Sequence, residues 1–225
     1  MERKIIITAD GSSSIYLPEW DEQYHSKHGA IQEAYHVFIK SGFNHFLANN
    51  TNFKNPISIL EIGFGTGLNA FITLLESVKQ NVPVEYTGIE AYPVAMDEIA
   101  QLNYPLVLKA EDKANLFKLL HESPWEEKQQ LSQGFSLKKQ KKFFVEINDV
   151  NLYNIIYFDA FGARVQPELW TETIFKKMYD ALKPKGILVT YSAKGSVRRA
   201  MQAVGFKVEK LPGPPGKREM LRAQK

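Results

Sequence analysis

The chain has 225 residues, 44% hydrophobic and 24% charged, with a formal net charge of +3 and no cysteine. That is room for one α/β domain with an appendage, and the missing cysteine excludes disulfides, thiolate metal sites and a cysteine nucleophile, including the cysteine route to methylating a pyrimidine ring carbon. No apolar run approaches about 18 residues, and Met1-Glu2-Arg3-Lys4 leads only into Ile5-Ile6-Ile7, so a cytoplasmic protein with neither membrane nor metal partner is expected.

Charge is unevenly distributed. Residues 1–110 hold 7 Lys/Arg against 12 Asp/Glu, and residues 111–225 hold 21 against 13, so the halves carry −5 and +8. A basic C-terminal half suits a polyanionic partner, because each cation docked on a phosphate releases counterions; a solvated lysine-rich surface is the plain alternative.

In chain order, residues 3–8 read as a strand, Asp10-Gly11 as a turn and residues 14–17 as the returning strand, a hairpin ahead of the main domain. Residues 18–29 are polar and aromatic without a period, suited to a lid, and a helix follows from about Ala30 to Ile39. Residues 1–50 are thus expected to form an N-terminal extension and residues 51–225 the main domain. The main domain alternates: strand 57–62, helix 68–80, strand 84–90, helix 93–102, helix 112–121. Lys138-Lys139-Gln140-Lys141-Lys142 is expected at the tip of an inserted hairpin between 134–137 and 143–147. Strand 154–159, a loop through Pro167, helix 171–182, a stop at 183–186, strand 187–192, helix 195–203 and strands 206–211 and 218–223 complete the chain. The expected fold is a doubly wound, Rossmann-like, mostly parallel seven-stranded sheet ending in an antiparallel strand.

The most informative stretch is Ile57-Ser58-Ile59-Leu60-Glu61-Ile62-Gly63-Phe64-Gly65-Thr66-Gly67-Leu68-Asn69. A β-branched run enters three alternate glycines and leaves into a helix, which lets main-chain N–H groups approach a nucleotide-like ligand at a helix N-terminus. A dinucleotide fingerprint would place its third glycine at position 68, where this chain has Leu68. Glu61, two residues before the first glycine, suits an ammonium and repels a pyrophosphate, so the motif points to S-adenosylmethionine over NAD. Gly63, Gly65, Gly67, Asn69 and Glu61 form the expected cofactor set.

Ligands of open α/β sheets bind beyond the carboxyl ends of the strands. Glu90, ending Tyr86-Thr87-Gly88-Ile89-Glu90, is assigned to the ribose hydroxyls, and Asp149, ending 144–149, to the adenine amino group. Asp159, followed by Ala160 and Phe161, is the leading catalytic candidate: its carboxylate can orient an amine and take its proton, and the Phe161 ring can contact a flat base or a cationic methyl group.

These residues resemble the MnmC-type family of tRNA 5-methylaminomethyl-2-thiouridine methyltransferases in its stand-alone form. The resemblance runs through Ala9-Asp10-Gly11-Ser12, Tyr24-His25-Ser26, Gly29 with Glu33, the glycine motif, Asp159-Ala160-Phe161, Pro167-Glu168-Leu169-Trp170 and Gly216-Lys217-Arg218-Glu219-Met220-Leu221. It implies methyl transfer from S-adenosyl-L-methionine to the amine of 5-aminomethyl(-2-thio)uridine at the tRNA wobble position, with Asp159 at the amine. It also adds Glu33 to the cofactor set and His25 to the substrate set, both next in line as catalytic candidates. The bifunctional proteins typically read Asp-Gly-Phe-Ala-Pro where this chain has Asp159-Ala160-Phe161-Gly162-Ala163. The family's flavin oxidase half has no counterpart in these residues, so another enzyme is expected to supply the aminomethyl group. If the basic half docks the tRNA anticodon arm, Arg164, Lys194, Arg198, Arg199, Lys217 and Arg218 are the expected phosphate contacts. Two other readings stay open: a small-amine methyltransferase or aminopropyltransferase of the same fold, and a non-catalytic tRNA-binding protein.

Overall fold

The β-branched run at Ile57–Ile62 becomes the central strand of a large sheet because both its faces are covered, leaving Ile57, Ile59, Leu60 and Ile62 fully buried. The computed structural model describes residues 2–51 and 55–225. In chain order, β1 (Lys4–Ile7), β2 (Ser13–Leu17) and the short β3 (Glu22–Gln23) form a three-stranded antiparallel sheet. A continuous helical stretch follows: α1 (Ala30–Ala34), a wide π-helical segment (Tyr35–Asn44) and α2 (His45–Asn49). It runs ten residues past the expected end at Ile39. Gly42 is where the helix touches the sheet: a Cβ there would lie 3.0 Å from Val189 Cγ2 and 3.2 Å from Tyr157 Cε1. The Phe38 ring lies 5.1 Å from that of Tyr157, so residues 30–49 share the core of the main sheet.

From the central strand β4 (Ile57–Ile62) the chain passes through α3 (Leu68–Gln80) to β5 (Val84–Ile89). Short helices α4 (Met96–Ile99) and α5 (Tyr104–Val107) replace the single helix expected at 93–102, and α6 (Ala114–Glu122) falls close to expectation. The inserted hairpin is displaced from its expected position. It pairs β6 (Lys128–Ser132) with β7 (Phe135–Gln140), turning at Gly134, so Lys138 and Lys139 lie within a strand. Residues 144–149, expected as a strand, hold instead a short 3₁₀ turn, Phe144–Glu146. The lysines misled because period-2 burial on β7 tolerates them: Lys139 is buried, but its ammonium reaches the His121 carbonyl at 2.5 Å, at the negative end of α6.

The remaining elements are β8 (Tyr153–Phe158), α7 (Glu172–Ala181), β9 (Leu182–Thr190), α8 (Gly195–Ala203), β10 (Lys207–Pro212) and β11 (Glu219–Gln224). The expected stop at 183–186 lies inside β9, where a register shift between Tyr153 and Ile155 of its partner β8 accommodates Pro184. The sheet has eight strands in the order β10-β11-β9-β8-β4-β5-β7-β6: the seven expected, with β7 in place of 144–149, and β6 added at the edge. Pairs among β9, β8, β4, β5 and β7 are parallel; β10/β11, β11/β9 and β6/β7 are antiparallel. One face packs Ile59, Tyr86 and Tyr157 against α1, the π segment and α3; the other packs Leu60, Ile156 and Leu188 against α7 and α8. Because β5 and β8 flank β4 on opposite sides, the strand order reverses at the carboxyl end of β4, where a cleft opens. Among the described residues no helix is long and apolar enough to cross a membrane.

Candidate functional site

The glycine turn leaves β4 with its backbone tied to the neighbouring strand: Gly63 and Phe64 donate N–H groups to the Ile89 carbonyl at 3.1 and 3.0 Å. Gly63 has φ +89° and a Cβ there would lie 2.6 Å from the Asp159 carbonyl oxygen, so only glycine fits between the ends of β4 and β8. Gly65, at φ +49°, faces the Tyr24 ring, 3.0 Å from where its Cβ would stand. Its N–H donates to Glu90 Oε2 at 2.9 Å, and Tyr92 N–H to Glu90 Oε1 at 2.9 Å. Glu90 therefore holds the turn in shape, each oxygen keeping a further lone pair toward the cleft it lines.

The cleft beyond these strand ends encloses about 1310 Å³. Gly63, Gly65, Asn69, Glu90, Glu33, His25, Lys217, Asp159 and Phe161 line it. Glu61, Gly67, Asp149, Arg164, Lys194, Arg198, Arg199 and Arg218 do not.

Asp159 follows the last residue of β8, its N–H donating to the Ile62 carbonyl at 2.9 Å. The loop after it is pinned twice, by Trp170 Nε1 to the Phe161 carbonyl at 2.7 Å and by the Tyr191 hydroxyl to the Ala160 carbonyl at 2.8 Å. The Phe161 ring is boxed edge-on by Trp20 and Tyr24, at 5.5 and 5.0 Å between centroids. The aromatic loop expected as a lid thus forms one wall of the cleft. Sequence reasoning did not nominate Trp20, Tyr24 and Tyr191, which line the cleft, or Trp170, which supports its loop, although Tyr24 and Trp170 lie within the quoted Tyr24-His25-Ser26 and Pro-x-x-Trp motifs.

Asn69, on the first turn of α3, donates from Nδ2 to both Glu61 Oε1, at 2.9 Å, and Asp159 Oδ2, at 2.8 Å. Burial pushes Asp159 up to about 7, with the Glu33 charge adding to the effect and the Asn69 amide and Lys217 opposing it. Glu61, fully buried, is driven well above the usual carboxylate range by burial, only partly offset by Asn69. The expectation that Glu61 meets an ammonium directly is corrected: it lies beneath the cleft floor and reaches the cleft through Asn69. Asn69 Oδ1 is a buried acceptor without a hydrogen-bond partner among the described residues, whereas the Glu61 carboxyl has the Tyr86 hydroxyl beside it beneath the floor. An unmatched acceptor on a residue that lines the cleft fits a ligand that carries donors or positive charge, as a sulfonium amino acid does.

His25 is also reassigned. Its ring spans Ser14 Oγ at 3.2 Å and Thr66 Oγ1 at 3.3 Å, tying the N-terminal sheet to the glycine turn. Burial lowers it to about 4, so it is neutral at pH 7 and carries no charge for a phosphate. Arg164 is committed elsewhere, its Nη2 donating to the carbonyls of Trp20 and Asp21 and to Glu22 Oε2. Asp149 follows the 3₁₀ turn and lies outside the cleft lining, its carboxyl beside the Tyr153 hydroxyl. Gly67 packs under the turn, where a Cβ would lie 2.8 Å from His121 Nε2. Lys194, Arg199 and Arg218 are exposed and Arg198 partly so; they collect near the carboxyl edge, at the start of α8 and the turn into β11.

Residues 126–225 match the family of S-adenosyl-L-methionine-dependent methyltransferases, and S-adenosyl-L-methionine is that family's cofactor. The chain is 29% identical over 216 residues to the tRNA 5-methylaminomethyl-2-thiouridine biosynthesis bifunctional protein MnmC of Leptospira borgpetersenii, covering 90% of this chain and 32% of that protein. It is 27% identical over 229 residues to the MnmC of Actinobacillus pleuropneumoniae, covering 92% and 33%. It thus spans about a third of the length of these curated relatives. The crystal structure of MnmC2 from Aquifex aeolicus superposes with a TM-score of 0.78 at 28% identity, over 99% of this chain and 69% of that one. Spermidine synthase from Thermotoga maritima shares the fold, at TM-score 0.57 and 15% identity over 99% and 68%. The architecture is the Rossmann-like methyltransferase fold.

Proposed function

We propose, for a chain with this methyltransferase fold, that it transfers a methyl group from S-adenosyl-L-methionine to the amine of 5-aminomethyl(-2-thio)uridine at the wobble position of tRNA. The observation that carries the reading is Asp159, held by Asn69 between the glycine turn and the Phe161 box, in a chain similar to MnmC proteins along nearly its whole length.

Bound on the glycine turn, the cofactor supplies an electrophilic methyl group on a sulfonium. Gly63, Gly65, Asn69 and Glu90 would hold it. Asp159 accepts a hydrogen bond from the substrate amine, aims its lone pair and takes its proton, while Phe161, Trp20 and Tyr24 offer the apolar walls that a flat base needs. Basic residues at the carboxyl edge, Lys194, Arg198, Arg199 and Arg218, are the RNA contacts in this reading, and a second enzyme supplies the aminomethyl group.

The decisive experiment is nucleoside analysis of tRNA from a strain lacking the protein. The methylaminomethyl nucleoside should disappear and its aminomethyl precursor accumulate; an unchanged profile, with no transfer by the purified chain to precursor tRNA, overturns the reading.

A further inference from the structure

Two charged side chains 184 residues apart meet beside Asp159. Lys217 Nζ lies 2.5 Å from Glu33 Oε1 and 3.8 Å above the Tyr191 ring, and all three side chains line the cleft. Glu33 is fixed from its other oxygen, which accepts the Ser26 N–H at 2.9 Å. The turn carrying Lys217 is fixed as well: Lys217 N–H donates to the Pro214 carbonyl at 2.9 Å, and Gly216 packs so tightly on His28 that a Cβ would overlap its ring. An ion pair this constrained, with only a third of the lysine side chain exposed, is poorly placed to swing out to an RNA phosphate.

We propose that the Glu33–Lys217 ion pair, held against the ring of Tyr191, sets the charge balance at Asp159, Lys217 stabilising its carboxylate and Glu33 opposing it, making Glu33 and Lys217 positioning residues for its proton acceptance in place of the cofactor and RNA contacts expected of them. The inference rests on the methyl-transfer reading above. In that reaction a substrate ammonium gives one proton to the Asp159 carboxylate. The freed nitrogen lone pair then forms the bond to the methyl carbon as the carbon–sulfur bond breaks, and that bond's electron pair stays on sulfur as a neutral thioether. A carboxylate that is too well stabilised will not take the proton; one that is too destabilised is already protonated.

The groups facing Asp159 are Glu61 from β4, Tyr86 from β5, Glu33 from α1, Lys217 from the turn before β11, Tyr191 from the loop after β9, and the neutral amide of Asn69 from α3. Glu61 is itself driven toward its neutral form by burial, so Glu33 and Lys217 are the two charges that act on Asp159 with opposite sign. Because they are paired, deleting either leaves the other uncompensated beside the carboxyl.

The test follows the Asp159 carboxyl directly by carbon-13 NMR of the full chain with labelled aspartate, the resonance being assigned by its loss in Asp159→Asn. Lys217→Gln should raise the midpoint and Glu33→Gln lower it, each by about one unit, with the double variant between them and Lys217→Arg close to wild type. Circular dichroism checks that each variant is folded, and Lys217→Met serves if Lys217→Gln is not. Shifts of the same sign in both single variants, or no shift in either, overturn the proposal. Methyl transfer to precursor tRNA is measured on the same samples: no transfer by wild type would defeat the reaction, whereas the titration reads the charge balance at Asp159 by itself.

Discussion

The Asn69 amide nitrogen donates to Asp159 Oδ2 at 2.8 Å, joining two residues 90 apart in sequence, one on the first turn of α3 and the other just past the end of β8. The same nitrogen serves Glu61, so one neutral donor is shared between the buried Glu61 carboxyl and the part-buried Asp159 carboxyl. If both carboxyls were ionised, the second charge would be poorly compensated, which is why a proton is retained in this group.

Replacing Asp159 by Asn keeps the shape and removes the charge. We expect cofactor and tRNA affinity to be retained and single-turnover methyl transfer to fall by about 10²–10⁴-fold, the range for a lost acid–base group. Near-normal transfer would move the catalytic role elsewhere.

The pH dependence has a defined sign. Asp159 is raised to about 7, so its proton-accepting form is lost as pH falls through that value, and the rate should show an acid limb near pH 7 that is missing in Asp159→Asn. For stability the sign is opposite. A carboxyl raised on folding favours the folded state below its ordinary range near pH 4, and that contribution is lost as pH rises through 7. Asp159→Asn should therefore melt higher than wild type at pH 8 and lose this advantage at pH 4. Equal differences at both pH values in thermal melts would contradict the assignment.

Gly65→Val places a branched side chain against the Tyr24 ring at φ +49°, where the backbone must approach a ligand. Cofactor affinity by calorimetry should fall at least about tenfold, equivalent to roughly 1.4 kcal/mol. Equal affinity in a folded variant would remove the glycine turn from the binding site.

The Arg198→Ala/Arg199→Ala double variant tests the RNA face. tRNA binding should weaken and the slope of log K against log salt flatten by up to about one unit per lost phosphate contact, with cofactor affinity unchanged. An unchanged slope removes α8 from the interface and turns attention to Lys141 and Lys142, which follow β7.

Trp170→Phe removes the donor to the Phe161 carbonyl while keeping an aromatic ring in the cluster with Phe158, Phe175 and Tyr191. Loss of that bond should cost roughly 1 kcal/mol of stability and lower kcat more than cofactor affinity, because the loop it anchors carries the substrate wall. A variant with unaltered kcat would show that the Tyr191 hydroxyl suffices to hold the loop.

The sequence by itself determined the strand–glycine–helix unit at 57–80, the α/β alternation around it and the carboxylates at 90 and 159. Each is a local signal: periodic burial, a glycine where φ is positive, an acid at a strand end. It misassigned the third strand because a buried lysine such as Lys139 is tolerated only when a distant carbonyl receives it, and no local pattern records that partner. The partners of Glu61, His25, Arg164 and Lys217 were illegible for the same reason. Residue type and strand position can nominate a charged group, but whether it faces a ligand, supports a neighbour or is already paired depends on contacts between segments far apart in the chain. Only the tertiary structure brings Asn69 between Glu61 and Asp159, sets Lys217 on Glu33, and thereby decides which charges remain available for chemistry.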